Sequence, residues 1–394
     1  MMDYVKLQPL PTPSRSDQLR PGAQHFKGLR TVVDLQLGNS TIPCMEFNPA
    51  KLSELAVCCG TKVEIYNIKN KQGRGIAQLS QFKDFSQSVS YRYDGKLLAC
   101  GDATGLLQIF DRESKKVLRR FKGHSASCGT ARFGGKNHVL SGAHDKSLRL
   151  WDISTGECVS TIENAHDDFV RAVRAAPVSQ VDEGTSANLW LTGGYDGIVK
   201  LWDSRIGGGE NGGFKAVMTM DHGAPVEDVL FTSPLTCFSA GGPCVAAWDL
   251  SAGKRMVDFA TSHTKTVSSM AFNAKSSTLL TASLDKTVKL HDLATHEVLL
   301  TFNSPEALTA CAASSSEGCL SWGTGAGRWT VKRNGAKKGG NAGENATKKR
   351  SYRAPLQPQS VTYLKRGPNE PRVDGATKVI FFSFRFYVLV FKLN

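Results

Sequence analysis

No two of the ten cysteines in this 394-residue chain stand at Cys-x-x-Cys spacing. That excludes the common zinc ribbons and the thioredoxin-type redox pair. Cys58 and Cys59 are adjacent and the rest are scattered through strand-like segments. The pattern reads as buried, reduced thiols of an intracellular protein, and the absence of a charged-then-apolar leader predicts the same. A Walker motif, a nucleophile elbow and a metal-binding helix are also missing. No cofactor, metal, small-molecule substrate or enzymatic activity is therefore expected. Long apolar runs are missing too. The longest strongly apolar stretch, Val379 to Phe391, contains Arg385 and is shorter than the ~20 residues a membrane helix needs. Acidic residues are the scarce charge: 35 Asp and Glu face 49 Lys and Arg, for a net charge of +14.

What is abundant is a repeat. A Trp-Asp pair or a degenerate relative ends at Asn67, Asp111, Asp152, Asp203, Asp249 and Asp292, at intervals of 41 to 51 residues. A seventh, degraded copy, Thr330-Val331-Lys332-Arg333, follows 41 residues later. This period is that of a four-stranded propeller blade. His124, His166, His222 and His263 each precede one of these marks. Between them sit a small-residue strand and a tight turn, as in Val139-Leu140-Ser141-Gly142-Ala143-His144-Asp145. The strand that follows alternates, as in Ile198-Val199-Lys200-Leu201-Trp202, and alternation reads as a half-buried strand.

These residues resemble the WD-repeat family. The resemblance implies an all-β, seven-bladed propeller, and with it a buried hydrogen-bonded tetrad in each well-preserved blade. One tetrad would be His124, Ser141, Asp145 and Trp151; a second would be His166, Thr192, Asp196 and Trp202. A Ser-His-Asp set invites a catalytic reading, but recurrence once per blade is what a structural network does, since buried imidazole and indole N–H groups need partners.

The expected organisation is an extended N-terminal arm over residues 1–30, the propeller over 31–333, a basic flexible tail over 334–378 and a short apolar segment over 379–394. Residues Thr31 to Leu37 alternate and are expected to close the ring by completing the last blade. The glycines from Gly207 to Gly213 read as a loop between strands, and Gly323, Gly325 and Gly327 as the tight turn of the seventh blade. Between residues 332 and 366, ten Lys and Arg face a single Glu. Lys337, Lys338, Lys348, Lys349, Arg350, Arg353, Lys365 and Arg366 are the candidates for RNA contact or nuclear import, because such arms neutralise phosphates without choosing a sequence. On the face where the turns before Asp145 and Asp196 emerge, His144, Arg171 and Tyr195 are the candidates for partner contact. The apolar C-terminal segment is expected either to dock as one strand or helix, or to be the product of a mis-joined gene model, with the second favoured.

Within the WD-repeat class the chain resembles the U-three small nucleolar RNA-associated protein fifteen family. The residues that carry this are Arg92-Tyr93-Asp94-Gly95-Lys96, Leu118-Arg119-Arg120-Phe121-Lys122-Gly123-His124, Phe169-Val170-Arg171, His222-Gly223-Ala224-Pro225-Val226-Glu227 and the basic tail. The resemblance implies a nucleolar, non-enzymatic scaffold of the small-subunit processome. Its implied partners are other processome proteins, pre-ribosomal RNA and the U-three small nucleolar ribonucleoprotein, with no membrane. It implies a role in small-subunit (18S) ribosomal RNA maturation, and a link to transcription of ribosomal DNA. It also implies a helical C-terminal domain, which has no counterpart after about Asn369. A second reading rests on Trp202-Asp203-Ser204-Arg205, which fits the box of WD-repeat substrate receptors for cullin-RING ubiquitin ligases.

Overall fold

The structure is a computed structural model that describes residues 26, 28–69, 75–177, 188–207, 214–259, 261–314, 318–334, 381–384 and 387–390. The N-terminal arm up to residue 25, the polar run from Ser179 to Ala187, the glycines from Gly208 to Gly213 and the basic tail from residue 335 lie outside the described residues.

The repeats fold as seven four-stranded antiparallel sheets. Blade one runs Met45–Phe47, Glu54–Cys59, Lys62–Asn67 and Gly75–Leu79. Blade three runs Thr130–Gly134, His138–Gly142, Leu148–Asp152 and Cys158–Ile162, and the others repeat this meander. Seven apolar clusters hold the ring, one at each junction between neighbouring blades.

The half-buried reading of the alternating strands needs correction. The second strand of a blade, such as Glu54–Cys59, is buried throughout; the third, which carries the alternation, buries Leu148, Leu150 and Trp151 and leaves Arg149 and Asp152 half-buried. Alternation there sorts side chains between two junctions rather than between core and water. Leu148 and Leu150 pack toward blade four, whereas Trp151 packs toward blade two. Val199 and Leu201 likewise face blade five, and Trp202 faces blade three.

The ring closes where its two ends meet. Leu29–Gln36 pairs with Arg328–Asn334, from Leu29 opposite Asn334 to Gln36 opposite Arg328, as the outer strand of blade seven. Arg328 donates to the Asp34 carboxylate at 2.8 and 2.7 Å. Ile42 N–H reaches Thr324 O at 3.2 Å, and Thr309 Oγ1 donates to Ile42 O at 2.7 Å. The turn between the last two inner strands needs glycine at Gly327. Its φ is +86°, and a Cβ there would lie 2.3 Å from Gly38 O.

Beyond the propeller, Phe381–Phe384 pairs antiparallel with Tyr387–Val390. The single strand or helix expected for this segment is thus two short strands. Pairing the run with itself satisfies backbone groups that one isolated strand would leave open.

Six of the buried thiols are Cys58, Cys59, Cys100, Cys128, Cys237 and Cys311, but Cys158 and Cys244 are exposed. Burial pushes the Cys128, Cys237 and Cys311 thiols up to about 12, which keeps them protonated and inert. Among the described residues no helix is long and apolar enough to cross a membrane, and no His, Cys, Asp and Glu cluster could hold a metal.

Candidate functional site

The two tetrads assemble from the meander itself. In blade three, Trp151 Nε1 donates to Ser141 Oγ at 2.8 Å, and His124 Nε2 lies 2.7 Å from the same hydroxyl. His124 Nδ1 lies 3.0 Å from Asp145 Oδ2, and that oxygen also accepts Ser125 N–H at 2.9 Å. With Nδ1–H donating to the carboxylate, Nε2 is left to accept the Ser141 proton. Blade four repeats the chain: Trp202 Nε1 to Thr192 Oγ1 at 2.8 Å, His166 Nε2 to Thr192 Oγ1 at 2.8 Å, and His166 Nδ1 to Asp196 Oδ2 at 2.9 Å. Burial pushes the Asp196 carboxyl up, but His166 and the N–H groups of Ile198 and Asp167 outweigh it and hold it at about 2. Asp145 is held low in the same way by His124 and Ser147 against its burial.

Sequence reading missed two variants. In blade six, His291 occupies the tryptophan position and its Nε2 lies 3.0 Å from Thr281 Oγ1, with His263 and Asp285 completing the set. In blade five the turn is Gly241-Gly242-Pro243, with no aspartate. His222 therefore turns its ring over. Nδ1 meets Ser239 Oγ at 2.8 Å and Nε2 meets Gly241 O at 3.1 Å. The absent turn aspartate was the available signal. These networks are built to hold blades. Ser141, Thr192 and His166 are fully buried, and each hydroxyl already bonds an indole and an imidazole.

The exposed chemistry lies on the face carrying the turns at His144 and Tyr195. The His144 ring stacks on Phe169, with centroids 4.7 Å apart, and Phe169 lies 6.3 Å from Tyr195. Backbone bonds fix the row: His144 N–H to Ser127 O and Tyr195 N–H to Phe169 O, both at 3.0 Å. Burial, and then the charge of Arg171, lower the His144 pKa, so the ring is neutral at physiological pH. Arg171 is not the free exposed side chain that the sequence suggested. Its Nε donates to Glu227 Oε2 at 3.1 Å, and Tyr195 Oη donates to Glu227 Oε1 at 3.0 Å. Blades four and five are thereby tied at the mouth of the central channel. The side chain left open is Phe169, 40% exposed; its position just before a blade's inner strand was the signal that could have found it.

Arg174 and Asp228 pair deeper in the channel, at 3.1 Å. Arg205, from the Trp-Asp-x-Arg box, folds back onto Asp203 with bonds of 3.0 and 2.7 Å. Of the tail candidates, Lys337, Lys338, Lys348, Lys349, Arg350, Arg353, Lys365 and Arg366 all lie outside the described residues.

Comparison with known proteins agrees with this architecture. The WD domain, G-beta repeat family matches residues 115–152, 156–203 and 255–292. The chain is 32% identical over 305 residues to the U3 small nucleolar RNA-associated protein 15 homolog of Xenopus tropicalis, covering 77% of this chain and 56% of that protein. It is 32% identical over 356 residues to the Gallus gallus homolog, covering 90% and 63%. With the U3 small nucleolar RNA-associated protein 15 of Schizosaccharomyces pombe the identity is 34% over 264 residues, covering 66% and 50%. The aligned part of this chain thus spans 50 to 63% of the length of these relatives. With its seven blades, its tetrads and these relatives, the chain belongs to the WD-repeat family, and its propeller is similar to that of the U3 small nucleolar RNA-associated protein 15 group.

Proposed function

We propose that this chain is a non-enzymatic scaffold of a nucleolar ribonucleoprotein assembly that acts in ribosome biogenesis. The observation that carries this reading is the similarity of the propeller to relatives named as U3 small nucleolar RNA-associated proteins, from frog and bird to fission yeast. The chemistry is in keeping with it. The His and Ser or Thr members of the tetrads are buried and already bonded, while the open face offers Phe169 beside His144 and Tyr195 as an aromatic anchor. The finer reading is a place in the small-subunit processome, beside pre-ribosomal RNA and the U3 ribonucleoprotein. It extends to maturation of small-subunit ribosomal RNA during or near transcription of ribosomal DNA. The basic tail would hold RNA, direct nuclear import, or both. In the ligase-receptor reading Arg205 would have to release Asp203 to meet an adaptor.

Depletion followed by rescue tests the proposal. Loss of the protein should lower mature small-subunit ribosomal RNA relative to large-subunit RNA, and the wild-type chain should restore the ratio. An unchanged ratio on depletion rejects it.

A further inference from the structure

The outer strand of blade two, Val117–Phe121, is the edge of its sheet and pairs inward only with Leu107–Asp111. Within the eight residues from Lys115 to Lys122 stand five cations, Lys115, Lys116, Arg119, Arg120 and Lys122, and no acid. All five are exposed. None forms an ion pair among the described residues, whereas Arg92, Arg112, Arg149, Arg171, Arg174, Arg205, Arg255 and Arg328 each hold a carboxylate. Arg119 instead donates to Ile153 O at 3.0 Å and Ser154 O at 3.2 Å, across the junction with blade three. Arg120 donates to Gln81 Oε1 at 3.1 Å, toward blade one. These neutral acceptors fix both guanidinium groups in place without cancelling their charge.

Charge on an edge strand also discourages edge-to-edge pairing, but the other blades manage their edges differently. Gly75–Leu79 carries no charge, and Cys158–Ile162 is flanked by Glu157 and Glu163. On Lys254–Phe259 and Leu29–Gln36, Arg255 pairs with Asp258 and Asp34 pairs with Arg328. A uniformly positive ridge is peculiar to blade two. Successive side chains of a strand point to opposite faces, so Arg119 and Arg120 flank the two faces of the blade edge, with Lys115, Lys116 and Lys122 at the strand's two ends. Apart from Leu118 it presents no large exposed apolar side chain on which a protein partner would anchor.

We propose that residues 115–122 form an RNA-binding ridge that grips the phosphodiester backbone of a single strand without reading its sequence, at a site separate from the basic tail. The proposal rests on the ribonucleoprotein reading above. Five cations on phosphates release counterions, so binding falls log-linearly with salt.

The test is a salt titration of full-length protein against fluorescein-labelled oligouridine. The ridge variant is Lys115→Asn, Lys116→Ala and Lys122→Ala; asparagine tolerates the positive φ of 59° at position 115. A second background carries Lys348→Ala, Lys349→Ala and Arg350→Ala in the tail. A control carries Lys254→Ala, Lys265→Ala and Lys275→Ala on blades five and six. Thermal melting should be the same in all. The ridge variant should bind several-fold more weakly, with a log–log salt slope shallower by about 2. The loss should persist in the tail background, and the control should bind like wild type. An unaltered slope in the ridge variant, or an equal loss in the control, overturns the ridge while the tail and the ribonucleoprotein reading stand. Wild-type protein that binds polyglutamate but not oligouridine overturns both.

Discussion

His166 shows how much one side chain holds. Its two nitrogens join the buried Thr192 hydroxyl, and through it Trp202, to the partly buried Asp196 carboxylate. His166→Ala should strand those partners and cost roughly 1–3 kcal/mol, read as a lower denaturation midpoint. Loss of partner binding should track loss of folded protein. His291 gives a second, pH-dependent case. Burial first, then the charges of His263 and Lys289, lower its pKa to about 4, against ~6.5 in the unfolded chain. Between those values the unfolded state binds more protons, so stability is fully present above pH ~6.5 and is lost as pH falls toward 4. The full effect is on the order of 3 kcal/mol. Burial lowers His222 and His263 in the same direction, so each also loses stability as pH falls below ~6.5. His291→Trp, which restores the indole found at this place in blades three, four and five, should flatten the decline of melting temperature from pH 6.5 to 4. An equally steep decline in the variant would contradict the assignment. The hydroxyl, Asp and Trp of both tetrads were legible because they recur at one spacing, 141–145–151 and 192–196–202, while the histidine interval varies. The ring reversal of His222 was not spelled out, since it depends on which acceptor remains once the turn aspartate is gone. Arg171 read as exposed because sequence does not reveal that Glu227, a blade away, would reach it.

At the scale of elements, the seven meanders followed from the Trp-Asp period, and the closing strand from the alternation of Thr31 to Leu37. What period alone misjudged was burial, because blades pack face against face and cover apolar residues on both faces of the alternating strand, as at Leu148, Leu150 and Trp151. Closure has a measurable consequence. Removing Met1 to Leu37 deletes the partner of Arg328–Asn334, exposes Trp329 and Val331, and breaks the Asp34–Arg328 pair. The ring should then lose cooperativity and melt well below the full chain in calorimetry. Gly327→Val should act in the same direction, because its Cβ would meet Gly38 O. A truncated chain that melts like wild type would contradict the closure.

The propeller is a ring of seven four-stranded blades, and the chain carries a net charge of +14. In the seventh blade Lys332 is already engaged over the Phe302 ring, 4.8 Å from its centroid. Much of the remaining charge of the 332–366 stretch falls on its last cations, Lys348, Lys349 and Arg350 among them. Replacing those three by Ala should weaken RNA binding and lower the salt slope by about 2, without moving the propeller's melting. The central claim, association with a U3-containing ribonucleoprotein, is tested most directly by purifying the tagged full-length protein from cells at moderate salt and quantifying the bound RNA. Strong enrichment of U3 small nucleolar RNA and pre-ribosomal RNA over an unrelated WD-repeat protein is expected. Recovery of a cullin adaptor with U3 RNA at background level would contradict it.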